Sequence, residues 1–159
     1  MSTIFEAVVC PASEATQAAA ESLPQFAVVH RDQALVLIRR AGRADNFLPE
    51  LLFSVASELS APTGVAVAAF YDDRVAHREA WLFSGGAATR SFGAADELWV
   101  PTDERGEPIA TAEPLTFDRL DPGEEYETVR NAIDLALLAA GISVSLDCRQ
   151  VRQIAFEVG

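Results

Sequence analysis

A histidine and a glutamate spaced for acid–base chemistry occur in one predicted strand. His77 and Glu79 are two positions apart, so their side chains would share one face of the strand. A histidine oriented by a carboxylate can act as a general base. The more common role of such a pair is a polar patch on a half-exposed strand. We keep His77 and Glu79, together with Arg90, as an alternative polar site.

The cysteines offer a second route to chemistry. Cys10 and His30 both fall near predicted strand ends, and a thiolate activated by a histidine is a known nucleophile. No feature of the sequence brings these two residues together. The only other cysteine is Cys148, and no C-x-x-C pair exists for a zinc knuckle or a dithiol redox site. We expect both cysteines to be buried or half-buried free thiols.

Several common catalytic motifs are absent from the sequence. Ser84-Gly85-Gly86 lacks the G-x-S-x-G context of a nucleophile elbow, and glycine pairs between strands are usually turns or bulges. No G-x-G-x-x-G fingerprint occurs. All 12 basic residues are arginine, which excludes a Schiff-base lysine and a P-loop lysine. We therefore predict no catalytic residues and no cofactor, and a non-enzymatic role is favoured over an enzymatic one.

The charge of the chain is concentrated in one segment. The net charge is −12, and residues 96–127 hold eleven acids against Arg105 and Arg119, which is a net −9. This excess disfavours nucleic-acid binding and would attract a basic protein. A solvated loop followed by a helix N-terminus would explain the same acids without a partner. Residues 103–106 are predicted to form a turn with Gly106 at the left-handed position. The run 103–107 lacks the ligand spacing of a calcium loop, so no metal site is predicted.

Aromatic residues cluster just before and within the start of the acidic segment. Core packing is the ordinary role of such residues. An exposed aromatic side chain flanked by charge is, alternatively, typical of a protein-binding hot spot. On the second interpretation, the hypothetical protein-binding site consists of Trp81, Phe83, Asp96, Glu97, Trp99, Asp103, Glu104 and Glu107.

Hydrophobic periodicity predicts the elements that position these residues. Strands are predicted at 4–9, 26–30, 34–40, 65–71, 75–84, 88–92 and 97–100. Helices are predicted at 14–22, from a cap at Asp45 or Asn46 to Pro62, and from a cap at Asp121 to Gly141. Residues 107–120 are expected to be irregular. The tail 142–159 alternates like strands, although 146–154 also fits a helix.

These elements define an α+β fold with a mostly antiparallel sheet and about three helices packed on it. The first half reads β-α-β-β-α-β, which is compatible with a ferredoxin-like start extended by hairpins. A length of 159 residues, half of them apolar, is typical of a single domain covering 1–159. No apolar run approaches the roughly 18 residues that span a bilayer. Residues 1–6 have no basic region, so we expect a cytoplasmic protein without a membrane role.

A small acidic α+β chain without catalytic residues resembles the immunity proteins with which bacteria neutralise toxins delivered by neighbouring cells. The resemblance lies in the whole chain and in 46–106, with its Phe70-Tyr71-Asp72-Asp73 and Asp96-Glu97-Leu98-Trp99 runs. A composition rich in alanine, with arginine as the only basic residue, is typical of GC-rich bacterial genomes. The resemblance implies that 96–127 covers the basic cleft of a toxin.

Two other functions stay open at this point. The chain could be a small enzyme or ligand-binding domain with a pocket between the sheet and the C-terminal helix, where His77, Glu79 and Arg90 would be the polar groups. It could also be a dimeric assembly protein, which would use the sheet face around 81–99 or an open sheet edge.

Overall fold

The computed structural model describes residues 4–40, 49–72, 77–94, 100–115 and 125–144. These residues form seven strands and three helices in an α+β fold. In chain order the elements are β1 (Ile4–Pro11), α1 (Glu14–Glu21), β2 (Ala27–Arg31), β3 (Ala34–Arg40), α2 (Pro49–Thr63), β4 (Val65–Asp72), β5 (His77–Ser84), β6 (Ala87–Ala94), β7 (Thr111–Leu115) and α3 (Glu125–Ala140).

The sheet has the order β2-β3-β1-β4-β5-β6-β7. The pairs from β2 to β6 are antiparallel, so β1 runs parallel to β2 with β3 between them. In the same way β3 runs parallel to β4 with β1 between them. Two split β-α-β units thus interleave, which is the ferredoxin-like arrangement that the element order predicted. The hairpin of β5 and β6 extends this unit, as expected.

Helices cover both faces of the sheet. Alternate residues of the central strands point to opposite faces, and both sets are apolar because both faces are covered. On one face Val8, Leu37 and Trp81 pack with α1 and α2. On the other face Val9, Val36 and Phe92 pack with α3 through Ile133 and Leu137. We call these two surfaces the α1/α2 face and the α3 face.

The helix ends follow the predicted local signals where they fall within the described ranges. Ser13 is the N-cap of α1, and its hydroxyl accepts a hydrogen bond from the Thr16 amide at 3.1 Å. Gly141 ends α3 with a φ of +71°, a value that glycine adopts without strain. The predicted caps of α2 at Asp45 or Asn46 and of α3 at Asp121 lie outside the described residues.

The turn between β5 and β6 consists of Gly85 and Gly86, and α2 holds it in place. Both glycines have positive φ, which a two-residue hairpin turn of this kind requires. Ser57 donates to the Gly86 carbonyl oxygen at 2.6 Å, and the Gly86 amide donates to the Ser60 hydroxyl at 2.9 Å. The expected role of the glycine pair as a turn is confirmed.

The last strand of the sheet differs from the prediction. The prediction that 107–120 is irregular is wrong for Thr111–Leu115, which forms β7 and pairs in parallel with β6. Its proline, Pro114, is tolerated because β7 stands at the edge of the sheet formed by the described strands. Of the strand predicted at 97–100, Val100 is not in a strand and residues 97–99 lie outside the described part, as does 145–159.

Candidate functional site

The described part of the acidic segment includes an ordered loop, residues 101–109, between β6 and β7. The Ile109 amide donates to the Pro101 carbonyl at 2.9 Å, and Thr102 and Pro108 form an antiparallel bridge. At the tip the Asp103 amide donates to the Glu107 carbonyl at 2.8 Å. The loop is thus a short hairpin of its own, and we call it the acidic hairpin.

One of its carboxylates builds the turn. An Asp103 carboxylate oxygen accepts hydrogen bonds from the amides of Arg105, at 2.8 Å, and Glu107, at 3.0 Å. An aspartate that binds the backbone two residues ahead is a common turn former. Gly106 supplies the left-handed position, with a φ of +82°. The predicted turn at 103–106 is confirmed, and Asp103 therefore has a structural task besides its charge.

Residues 102–109 of the acidic hairpin are exposed. Glu104 and Glu107 are exposed, and so is Ile109, whose exposed fraction of 49% is high for a large apolar residue. Pro101 is buried and anchors the base of the hairpin. The arrangement combines two accessible carboxylates with an adjacent apolar side chain.

Two of the aromatic residues assigned to the hypothetical binding site belong to the core. Trp81 and Phe83 are 1% and 4% exposed and lie on the α1/α2 face. The Phe53 ring of α2 packs edge-on against Trp81, at a centroid distance of 4.9 Å, and next to Phe83 at 5.7 Å. Core packing replaces the interpretation of these two rings as exposed anchors. Asp96, Glu97 and Trp99 lie outside the described residues.

The alternative polar site is divided by the sheet. Glu79 is buried on the α1/α2 face, whereas Arg90 lies on the α3 face, with its guanidinium carbon 4.9 Å from the Phe92 ring centroid. His77 pairs with Asp72 in the sheet register, but its side chain is outside the described part. The expected pocket between the sheet and α3 therefore does not combine Glu79 with Arg90.

A β-bulge causes this division. If the pairing continued regularly from the Gly85-Gly86 turn, Arg90 would stand opposite Trp81. Its side chain would then lie on the same face as Glu79. The register shifts between Leu82 and Phe83, so that Arg90 stands opposite Leu82. Thr89 is the extra residue, and its hydroxyl donates to the Leu82 carbonyl at 3.2 Å. A shift of one residue moves every later side chain to the other face.

Cys10 and His30 do not form a nucleophilic pair. Both are register partners of Leu35, one on each side of β3, so two strand spacings of about 5 Å each separate them. Cys10 is fully buried, and desolvation raises the pKa of its thiol to about 11 despite a hydrogen bond with Thr16. The expectation of a buried, free Cys10 is confirmed; Cys148 lies outside the described residues.

The sequence interpretation missed a buried charged pair. Glu6 of β1 is fully buried and forms an ion pair with Arg39, its register partner on β3. A signal was present, because Glu6 is the only charged residue in the apolar run Ile4-Phe5-Glu6-Ala7-Val8-Val9. Both neighbours of β1 are strands and helices cover both faces, so a charge at this position needs a partner.

Two concave surfaces lie near the β2–β3 end of the sheet. A cleft of about 430 Å³ is bordered by Pro11, Asp32, Ala34, Ile142 and Ser143. A broader groove of about 600 Å³ runs between α1 and β2 and includes Glu14, Glu21 and His30. Within the described ranges, no three His, Cys, Asp or Glu residues are grouped as metal ligands, and no helix is long and apolar enough to cross a membrane.

Comparison of the chain with protein-family models, curated proteins and solved structures finds no match. The described residues define an α+β fold with a seven-stranded, mostly antiparallel sheet and three helices.

Proposed function

We propose that this chain is a non-catalytic binding domain for a basic protein and that the acidic hairpin makes the contact. The observation that supports this most directly is the geometry at Asp103. Its carboxylate fixes the turn, so Glu104 and Glu107 are presented on a preformed loop. A preformed loop loses less conformational entropy on binding than a flexible one.

Charge and apolar area have separate tasks in this contact. The net charge of −12 attracts a positively charged surface at long range and raises the association rate. Ile109 then provides an apolar contact next to the carboxylates, the role that sequence reasoning had given to Trp81 and Phe83. The partner is proposed to be a protein because an acidic surface repels the phosphates of a nucleic acid.

The proposed biological role is that of a bacterial, cytoplasmic immunity protein that neutralises a toxin. Its support is the resemblance in size, charge and fold class described above, together with the exposed carboxylates of the acidic hairpin. The natural test partner is a basic protein encoded next to this chain. Binding is measured by isothermal titration calorimetry at two salt concentrations.

The variants separate charge from loop structure. Glu104→Gln with Glu107→Gln should weaken binding about tenfold and reduce its salt dependence. Asp103→Asn keeps the oxygen acceptor and removes only charge, whereas Asp103→Ala also removes the hydrogen bonds of the turn. The matched control is Glu50→Gln with Glu58→Gln, which removes the same charge from exposed positions of α2. Undiminished affinity of the Glu104/Glu107 variant, or equal loss in the control, would exclude the acidic hairpin as the contact.

A further inference from the structure

The outer edge of β2 has backbone groups that point away from the sheet. Among the described strands, β2 pairs only with β3 and stands at one end of the order. The amide of Ala12 donates to the carbonyl of Gln33 at 2.9 Å, so odd-numbered residues of β3 bond toward β1. Even-numbered residues of β3 therefore bond to their β2 partners Ala27, Val29 and Arg31. The N–H and C=O groups of Val28 and His30 are left pointing outward.

The groove beside this edge is lined by one face of α1. Glu14, Gln17, Ala18 and Glu21 follow each other at helical spacing along the groove, and His30 of β2 lies opposite. The Gln17 amide nitrogen donates to Glu21 at 2.8 Å and holds that carboxylate at the wall. Glu14 and Glu21 are both exposed. The groove thus combines two carboxylates with backbone groups that have no strand partner among the described residues.

We infer that this groove binds an extended segment of a partner protein, which adds a strand to β2 and places a basic side chain between Glu14 and Glu21. Strand addition supplies affinity through main-chain hydrogen bonds, and the flanking side chains supply selectivity. A second copy of this chain fits less well, because two molecules of charge −12 repel each other and would bring two such carboxylate pairs to one edge.

This inference goes beyond the proposed function and concerns a separate surface. The acidic hairpin precedes β7, the opposite edge strand, and six strand spacings of nearly 5 Å place the two edges about 30 Å apart. Variants of the two surfaces can therefore be measured separately, each against the control variant Glu50→Gln with Glu58→Gln on α2. If the groove proves not to bind an extended segment, the proposal for the acidic hairpin is unaffected. A negative result for the acidic hairpin likewise leaves the groove proposal unaffected.

The test uses a capped synthetic heptapeptide of alternating arginine and valine, with binding measured by calorimetry on the full chain. We expect Glu14→Gln with Glu21→Gln to weaken binding about threefold to tenfold, while Glu50→Gln with Glu58→Gln, at exposed positions of α2, changes it less than twofold. A glutamate–valine peptide should not bind. Equal effects of the two double variants would show attraction to net charge only and would overturn the groove as the site.

Strand addition has its own readout. His30→Pro removes an outward N–H without touching the bonds to β3 and should weaken binding about tenfold, whereas His30→Ala should not. A peptide N-methylated at alternate residues should fail to bind the unaltered protein, a result independent of the folding of any variant. Binding that tolerates both changes would overturn strand addition.

Hydrogen exchange decides whether the edge is open. In the free protein the amides of Val28 and His30 should exchange faster than those of Val29 and Arg31, and saturating peptide should protect them. Protection of Val28 and His30 without peptide would overturn the inference. Protection that depends on protein concentration would identify a second copy as the occupant, and protection independent of it would identify another part of the same chain.

Discussion

Glu6 and Arg39 stand directly opposite each other on β1 and β3, and their ion pair lies at the α1/α2 face in the middle of the sheet. The Glu6 side chain is 1% exposed, whereas that of Arg39 is 18% exposed. Removing the Glu6 carboxylate from water is therefore the larger part of the free-energy cost of the pair, because the Arg39 side chain keeps partial contact with solvent. We therefore expect the loss of Arg39 alone to destabilise the protein more than the loss of both charges together.

Arg39→Met should destabilise the protein by about 3 kcal/mol, because it removes a counter-charge from a buried carboxylate. Glu6→Gln combined with Arg39→Met should recover part of this loss, and the double-mutant cycle gives the coupling. Urea unfolding measures each free energy of unfolding. Arg31→Met is the matched control, since Arg31 is exposed on β2. Equal effects of Arg31→Met and Arg39→Met would contradict a specific role for the pair.

Trp81→Ala should lower the free energy of unfolding by about 4 kcal/mol, because it leaves a cavity beside Phe53. Trp81→Phe should cost less, since an aromatic ring is retained. The affinity of the folded fraction for a basic partner should stay unchanged in Trp81→Phe. A loss of that affinity without a loss of stability would show that Trp81 contributes to the binding surface.

Ser60→Ala should destabilise the protein by about 1–2 kcal/mol, because the Gly86 amide loses its acceptor at the β5–β6 turn. Ser54→Ala, at an exposed position of the same helix, should change the stability by a few tenths of a kcal/mol. Thermal unfolding of the two variants compares them directly. Similar melting temperatures for both would show that the contact of α2 with the turn has no net effect.

Cys10 should resist alkylation in the native protein. Burial raises its thiol pKa to about 11 from an ordinary value of 9.0, so at pH 8 only about one thiol in a thousand is ionised. Iodoacetamide labelling is followed by mass spectrometry in a Cys148→Ser background. Rapid labelling without denaturant would contradict the burial of Cys10.

The same shift predicts a pH dependence of stability. The folded protein releases the Cys10 proton at a higher pH than the unfolded chain, so the stabilisation is complete below pH 9. It is lost as the pH rises from 9 toward 11. Urea unfolding at pH 8 and pH 10.5 should show a smaller decrease in Cys10→Ala than in the unaltered protein. An identical decrease would exclude Cys10 as the source.

Much of the fold could be predicted because its signals are local. Ser13 and Gly141 mark helix ends, and the spacing of Leu52, Val55 and Leu59 predicts the buried face of α2. Three features could not be predicted because they depend on distant partners. The bulge at Thr89 has no signature that fixes its position, the edge location that permits Pro114 follows only from the sheet order, and Glu6 needs a partner 33 residues away.

Of the hypothetical binding site, the turn at 103–106 was predictable from its aspartate and glycine. The burial of its aromatic residues Trp81 and Phe83 was not predictable from the sequence. Trp81 and Phe83 have the same residue types and spacing whether a helix covers them or not, so only the position of α2 decides their burial. The exposure of Ile109 could not be predicted either, because a single isoleucine in an acidic loop belongs to no periodic pattern.

Because β1 lies between β3 and β4, its pairing in the sheet depends on strands that are synthesised after it. This strand is made first, yet its neighbours β3 and β4 follow a helix and a hairpin, and β4 ends only at Asp72. A nascent chain therefore has no partner for β1 and its buried glutamate until β3 is complete at Arg40, and one side of β1 stays unpaired until β4 is complete at Asp72. Such non-local pairing slows folding and exposes apolar strands in the meantime. The net −9 of residues 96–127 is added only after β4, so most of the charge that repels other copies of the folded protein is missing from the nascent chain during that interval.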